Sequence, residues 1–293
     1  MEPKFISKRL RGIAVFACIF GFVLGISENT NATTYYTFTN GSPTTLTLWW
    51  TTTNGTGTHP ANFTTAGDIF TIQSGNTMTT SGNWTVTGTV FISTGGTLAV
   101  TSTGTTMNFG ALTVNSGAVL TENRPMTVTG ATNISGTVTF GSTSGTNRLI
   151  TLTGDVTLNS GAIWNVPATG NGSANTFNFG GNFTNNATTF NDLGTGVHTF
   201  SGAAKTISGS TITSIGSIAI TGTPTNAGIL TSRTAQTGTT ITGTPGTDTQ
   251  IAANTRYGIK AVIRSIGVTS PASNIEGSSL TSSFSAIVTA LLT

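Results

Sequence analysis

One short motif recurs seven times between residues 66 and 212, and it constrains the fold more than any other feature of this chain. Each copy has alternating apolar positions and a glycine, as in the run Trp84-Thr-Val-Thr-Gly88. Further apolar positions and a Ser-Gly-type turn follow. Successive marker glycines are 20 to 26 residues apart, and self-similarity at this period is typical of solenoids. The marker glycines are Gly67, Gly88, Gly110, Gly130, Gly154, Gly180 and Gly202.

The alternation within each copy has period two, which places apolar side chains on one face of a strand and Thr, Asn or Ser on the other. We predict three short strands per copy, for example residues 84–87, 89–92 and 97–100, with glycine supplying a positive φ or tight bend at the corners. Stacked coils would pair equivalent strands in parallel. The predicted fold is therefore all-β, a right-handed parallel β-helix of about seven or more coils of roughly 20–26 residues. A β-sandwich is the alternative, but it would not repeat the same residue types at the same corners.

The repeat also predicts which side chains point into the core. Two inward ladders are expected on the strand before the marker glycine and one on the strand after it. The first two are Trp84/Met107/Met126/Ile150/Phe177/His198 and Val86/Phe109/Val128/Leu152/Phe179/Phe200, and the third is Val90/Leu112/Thr132/Val156/Phe183/Ala204.

Four segments follow from the organisation of the chain. Residues 1–27 have a basic head and a 16-residue uncharged run from 12 to 27, which predicts a secretory signal peptide and no stable membrane span after its removal. An uncleaved anchor, or lipid attachment at Cys18, is the alternative for this leader. Residues 28–66 are predicted to form an N-terminal cap and residues 67–214 the rungs. Residues 215–293 are predicted to be irregular C-terminal rungs or a cap, and an incomplete C-terminus is the alternative.

Removal of the leader changes the charge of the chain. Four of the 11 basic residues and one of the 8 acids would be lost, leaving seven of each sign. The basic residues that remain form no clustered face, so the sequence argues against a nucleic-acid partner. The only cysteine also leaves with the leader, so stability must come from core burial and backbone pairing. The remaining charged residues are Arg124, Arg148, Lys205, Arg233, Arg256, Lys260, Arg264, Glu28, Asp68, Glu122, Asp155, Asp192, Asp248 and Glu276.

The opening of the chain resembles a known family. Tyr35-Tyr36, Trp49-Trp50, Pro60 and residues 66–72, followed by repeated Ser-Gly turns, resemble adhesin-like secreted β-solenoid proteins of Bacteroidetes-type bacteria. The resemblance covers about residues 33–210 and has no obvious counterpart of the family's C-terminal sorting module. It implies a secreted or outer cell-surface location, with surface glycans or other cell-surface proteins as partners. It supplies no functional residues.

Carboxylates are the groups that would reveal a polysaccharide-cleaving β-helix, because glycoside hydrolysis uses two of them roughly 5–10 Å apart. Glu122 and Asp192 follow their turns by similar offsets but lie three rungs apart, about 14 Å along the stack. Asp155 belongs to a different corner. We interpret all three as isolated, solvated carboxylates and predict no catalytic residue.

The remaining candidates are histidines, tryptophans and threonines. His59 and His198 are the only histidines, and His198 is predicted to be a packed or rim residue, so no metal or cofactor site is expected. Trp49-Trp50 fill the core of the cap or, alternatively, stack on a sugar ring. Thr-x-Thr pairs could order water on a flat face, but Asn and Gly interrupt them and coil length varies.

The sequence therefore predicts a secreted or cell-surface structural or adhesive β-solenoid without catalytic activity. The alternative is a carbohydrate-binding or carbohydrate-cleaving β-helix, and a minor alternative is an ice-binding β-solenoid. The residues that bind a ligand, if there is one, stay open at this point.

Overall fold

Parallel strands stack coil upon coil in the computed structural model, which describes residues 32–101, 106–141, 147–227, 230–232, 236–238, 241–242 and 250–251. The predicted signal peptide and the segment from residue 252 onward lie outside the described residues. A single turn of 3-10 helix covers Leu46–Leu48. The strands in chain order are β1 (Thr34–Thr37), β2 (Trp49–Trp50), β3 (Ile69–Ile72), β4 (Thr77–Thr79), β5 (Trp84–Ile92), β6 (Thr97–Val100), β7 (Met107–Val114), β8 (Val119–Glu122), β9 (Met126–Val128), β10 (Thr132–Ile134), β11 (Thr137–Phe140), β12 (Leu149–Leu152), β13 (Val156–Leu158), β14 (Ile163–Val166), β15 (Thr176–Phe179), β16 (Phe183–Asn185), β17 (Thr189–Asp192), β18 (Val197–Phe200), β19 (Ala203–Ser208), β20 (Thr213–Ile215), β21 (Ser217–Ile220), β22 (Thr223–Asn226), β23 (Leu230–Ser232), β24 (Gln236–Gly238), β25 (Ile241–Thr242) and β26 (Gln250–Ile251).

Each coil contributes one strand segment to each of three faces. The first face contains the first halves of β5 and β7, then β9, β12, β15, β18, β21 and β24. The second face contains β1, β3, the second halves of β5 and β7, then β10, β13, β16, β19, β22 and β25. The third face contains β4, β6, β8, β11, β14 and β17, and β20 and β23 follow at the same place in later coils. The chain is thus an all-β, parallel β-solenoid of about seven turns, as the repeat predicts.

The inward ladders of the first face are confirmed residue by residue. Trp84 pairs with Met107, and the column continues in register to His198. Nearly all of its members are almost completely buried, because each coil covers the apolar surface of the coil before it. Burial of apolar surface along the whole stack is the main stabilising contribution to a fold without disulfides.

The third predicted ladder is wrong at its last position. Phe183 pairs with Ile207 and not with Ala204, which is exposed and has a φ of +51°. The register shifts between Ala203 and Thr206, where β19 contains one residue more than its partner β22. The irregularity lets the larger apolar residue, Ile207, occupy the core position.

The role predicted for the marker glycines also needs correction. Gly88 does not separate two strands, because β5 runs without interruption through it with only a register shift. Among the marker glycines, only Gly67 has a positive φ. At the others, glycine is required by close approach: a Cβ on Gly154 would lie 2.2 Å from the carbonyl oxygen of Gly130 in the coil before it. Positive φ occurs instead at the Ser-Gly turns between the second and third faces, for example at Gly75 and Gly117.

The segment before the first full coil covers the end of the stack. β1 lies parallel to β3, and β2 then lies antiparallel to β1, pairing Tyr36 with Trp50. Trp49 is completely buried and stacks on Trp84, with 5.8 Å between the ring centroids. The short antiparallel strand β2 therefore covers the strand edge, and the buried ring of Trp49 covers the end of the core.

The parallel ladder of the first face continues past residue 214 into β21 and β24. Near the end of the described residues, β25 and β26 pair antiparallel. Within the described part of the chain, none of the helical structure is long and apolar enough for a membrane span.

Candidate functional site

Two of the three candidate carboxylates point into the core. Glu122 and Asp192 end their strands on the third face in inward positions and are 0% and 1% exposed. Their interpretation as solvated carboxylates is therefore wrong, and only Asp155 is exposed. The pairing register keeps Glu122 and Asp192 three coils apart, about 14 Å along the stack. These two carboxylates therefore do not line a common groove.

Asp155 is held by the next coil. It accepts hydrogen bonds from the backbone N–H of Asn182 at 2.8 Å and from the Asn182 side-chain amide at 3.1 Å. These two bonds, and to a smaller degree the charge of Lys205, lower the pKa of Asp155. Its observed contacts tie together successive coils of the second face.

Glu122 lies beside a buried arginine. Its Oε1 accepts the backbone N–H of Arg124 at 2.9 Å, while its Oε2 is buried without a hydrogen-bond partner. Burial raises the pKa of Glu122 well above its usual value, although the N–H and charge of Arg124 act in the opposite direction. Burial and the charge of Arg148 lower the pKa of Arg124, whose guanidinium donates to the carbonyl of Thr101 at 2.8 Å. Burial thus favours the uncharged form of this carboxyl group, and the charge of Arg124 opposes that effect.

Asp192 forms a second buried polar cluster, with His198 and Trp164. The Asp192 Oδ2 atom lies 2.7 Å from Nε2 of His198 and accepts the Trp164 indole N–H at 3.1 Å. His198 Nδ1 lies 3.2 Å from the carbonyl of Gly196, and its ring stacks on Phe177 with centroids 4.6 Å apart. His198 is thus a packed core residue, as predicted. The cluster joins the third face to the first face inside the core.

His59 and the tryptophan pair belong to the N-terminal segment. His59 Nδ1 lies 2.7 Å from the carbonyl of Trp49, and its ring lies 3.9 Å from that of Trp50. Trp49 fills the core and donates its indole N–H to the carbonyl of Pro43 at 2.9 Å, whereas Trp50 is only half-buried. In the described ranges, no three His, Cys, Asp or Glu side chains gather in a way that could hold a metal ion.

The outward column of the first face is in continuous register from β5 to β24. Variation in coil length does not disturb this column, because the extra residues lie outside the first face: between the third and first faces, as in 167–175, or in β19 on the second face. The sequence argument that unequal coils would break the lattice is therefore wrong. The sequence argument from side-chain type stands, because the residue type does vary along the column: Thr85, Asn108, Thr127, Thr151, Asn178, Thr199 and Ala219.

The outward side of the second face carries a feature that sequence reasoning missed. Trp50 of β2 pairs with Tyr36, Tyr36 with Thr71, and Thr71 with Phe91, so three aromatic residues share one outward column. We call Trp50, Tyr36 and Phe91 the aromatic strip. All three are half-buried, while Thr71 between them is only 7% exposed. Period-two alternation could have found Phe91, since its neighbours Val90 and Ile92 point inward.

Beyond the aromatic strip, the same column becomes polar. Its next members are Thr113, Asn133, Thr157, Thr184 and Ser208. A neighbouring column at the corner with the third face consists only of amide and hydroxyl side chains: Gln73, Ser93, Asn115, Ser135, Asn159, Asn186 and Ser210. Some of these side chains bond along the column, as Asn159 does to Ser135 at 3.1 Å.

The geometry defines a class, a parallel β-solenoid with a polar, weakly charged exterior. Comparisons with protein-family models, with curated proteins and with solved structures give no match.

Proposed function

We propose that this chain is a secreted or cell-surface structural and adhesive β-solenoid without catalytic activity. The observation that carries the proposal is the contrast between a continuous buried apolar core and an almost uncharged exterior. Among the described residues, Glu122 and Asp192 are buried, whereas Asp155 is exposed. Hydroxyl and amide groups dominate the outward columns.

Such a surface suits attachment through many weak hydrogen bonds. Each coil presents its polar groups about 4.8 Å from those of the next, so contacts can repeat along the axis. A ladder of parallel strands hydrogen-bonded along its whole length also resists bending, as a spacer at a cell surface requires. The basic head and apolar run of the first 27 residues support export.

The described carboxylates favour a non-catalytic role over polysaccharide cleavage. Glycoside hydrolysis needs an acid and a second carboxylate that both reach the substrate. Glu122 and Asp192 are enclosed by the coils, and Asp155 is hydrogen-bonded to Asn182. The contacts of Asp155 and Asp192 link neighbouring coils of the stack.

The test is to express the full chain in a bacterial host and follow both location and activity. We expect the chain in the culture medium or exposed to added protease on intact cells, together with no release of reducing ends from a panel of polysaccharides. Retention in the cytoplasm would contradict the proposed location. Reducing ends released by the purified chain, and lost in the Asp155→Asn variant, would contradict the non-catalytic role.

A further inference from the structure

We infer that the aromatic strip and the polar columns beside it form a binding surface for an uncharged polysaccharide chain that lies along the solenoid axis. This inference rests on the proposed adhesive function and names the ligand class and the face. Its first support is position. On this face Trp50, Tyr36 and Phe91 point outward from a column whose other members are Thr, Asn or Ser.

The rings are not needed to fill the core. Trp49, next to Trp50 in the chain, is completely buried in the core and stacks on Trp84. Likewise Tyr35 stacks on the buried Phe70 at 5.4 Å, while Tyr36 points to the opposite side of the strand. A threonine at Phe91 would match its column neighbours Thr71 and Thr113. The outward rings therefore add apolar area to a surface that the fold does not require to be aromatic.

The shape and chemistry of the strip fit a sugar chain. Ring faces of Trp and Tyr stack on the apolar faces of sugars, while their polar ends stay hydrated. Three strand steps separate Trp50 from Phe91, about 14 Å, which is a length over which several sugar units can lie. His59, whose ring contacts that of Trp50, uses Nδ1 on the Trp49 carbonyl, so its Nε2 faces no described partner.

The polar columns supply the hydrogen bonds. From Gln73 to Ser210 one amide or hydroxyl group follows another at each coil, next to the column that continues the strip. Among the described residues of this face, the charges outside the core are few and of opposite sign. Asp155 lies three coils beyond Phe91 and is bonded to Asn182, and the half-buried Lys205 lies two coils further on. The surface around the strip is therefore matched to an uncharged, hydroxyl-rich ligand and offers little to an anionic one.

Tryptophan fluorescence of the full chain provides a direct readout. Of the four tryptophans, Trp49, Trp84 and Trp164 are no more than 1% exposed, so a ligand on the surface reaches only Trp50. We expect soluble mixed-linkage glucan to change the fluorescence emission of Trp50 and to protect that emission from quenching by iodide. We also expect amorphous cellulose or chitin to retain the chain, and alginate, an anionic polysaccharide, to do neither.

Variants locate the site. Phe91→Thr, Tyr36→Thr and Trp50→Ala should each weaken binding by about threefold to tenfold. The matched control is Leu149→Thr, which removes an aliphatic side chain that is 52% exposed on the first face and should leave binding unchanged. If Trp50→Ala loosens the N-terminal segment, Phe91→Thr still decides, because β5 lies inside the stack.

Each outcome has one meaning. No binding to any uncharged polysaccharide, equal loss in Leu149→Thr, or equally tight binding to alginate would overturn the inference. Loss of polysaccharide binding while the chain stays attached to intact cells would overturn the inference and leave the proposed function standing. Binding that depends on Phe91, accompanied by release of reducing ends, would support the inference and overturn the non-catalytic role.

Discussion

At the scale of single residues, polar side chains occupy inward positions of the solenoid where their hydrogen-bond partners are also buried. Asp192 stands in a column whose preceding member is Val166, and His198 in one that contains Phe177. Both polar residues are almost completely buried, yet they lie 2.7 Å from one another. A buried polar pair adds little net stability, but loss of one partner leaves the other group in the core without its hydrogen bond.

We therefore expect the single variants Asp192→Val and His198→Phe each to lower the free energy of unfolding by about 3–5 kcal/mol. The double variant has, at both positions, the apolar residue type found elsewhere in the same column, and it should recover a large part of that loss. The Trp164 N–H loses its acceptor in the double variant, so recovery stays incomplete by about 1–3 kcal/mol. Urea unfolding of all four proteins gives the coupling energy. Additive losses would show that the two side chains do not stabilise each other.

The second prediction concerns the pH dependence of stability. Burial raises the pKa of Glu122, so the folded chain keeps this proton over a pH range in which the unfolded chain has released it. The free energy of unfolding is therefore highest, as far as Glu122 is concerned, below the pKa of this group in the unfolded chain, about 4.3. It falls by about 1.4 kcal/mol per pH unit as pH rises from there to the raised pKa of the folded chain. Glu122→Gln should remove this fall. We expect the urea midpoints of wild type and variant to agree at low pH and to separate in favour of Glu122→Gln as pH rises.

A constant difference between the two proteins at every pH would mean that Glu122 titrates normally. Asp155→Asn is the matched control, since the pKa of Asp155 is lowered by its bonds to Asn182. Its contribution has the opposite sign: it is present above the unfolded value and is lost as pH falls through the lowered pKa.

The third prediction tests the close approach at the marker glycines. A Cβ on Gly154 would lie 2.2 Å and 2.3 Å from backbone atoms of Gly130, which cannot move without separating two coils. Gly154→Ala should cost about 3 kcal/mol or more. Gly82→Ala is the control, because a Cβ there meets nothing within 4 Å and the backbone has no positive φ. Equal urea midpoints for both variants would refute the steric role.

The period-two alternation of the sequence predicts the orientation of the buried carboxylates better than their charge does. Leu120-x-Glu122 and Phe190-x-Asp192 both continue period two, which places the carboxylates inward. The general cost of burying charge favoured the opposite interpretation. The partner of Asp192, His198, lies on the next face, and only the folded coil shows that the two side chains meet.

At the scale of strands and coils, the sequence predicts pairing but not local insertions. The register of the first face follows from aligning the repeats, and it is observed. The extra residues before Ile207 could not be placed, because Ala203, Ala204 and Ile207 are all apolar and fit the pattern almost equally. The antiparallel pairing of β2 was hidden as well, since nothing in the repeat describes a strand outside it.

The N-terminal strands give the fourth prediction, from two adjacent tryptophans. Trp49 plugs the end of the core between Phe70 and Trp84, while Trp50 lies outside. Trp49→Ala should lower the free energy of unfolding by about 3–5 kcal/mol and increase hydrogen exchange in β1 and β3 first. Trp50→Ala should change stability by less than about 1 kcal/mol. Equal effects of the two variants would show that the Trp49 ring does not stabilise the N-terminal end of the core.

At the scale of the whole molecule, each coil contacts mainly its neighbours, so stability is a sum of coil and interface contributions. Equivalent coils should then be removable. Deletion of residues 130–153 joins Thr129 to Gly154 and brings β13 onto β7. Apolar residues meet at the new interface, since Val156 would lie on Leu112 and Trp164 on Leu120.

The fifth prediction is that this shortened chain folds. Small-angle scattering should show a solenoid shorter by about 4.8 Å, with unchanged strand content by circular dichroism. The control deletion, residues 135–153, keeps β10 but removes the next third-face and first-face strands, so Gly154 follows directly after a second-face strand. That chain loses the register of every later coil and should aggregate or unfold at lower urea. If both deletions fold equally well, the order of faces in the repeat does not specify the stack; if neither folds, the coils depend on contacts beyond their nearest neighbours.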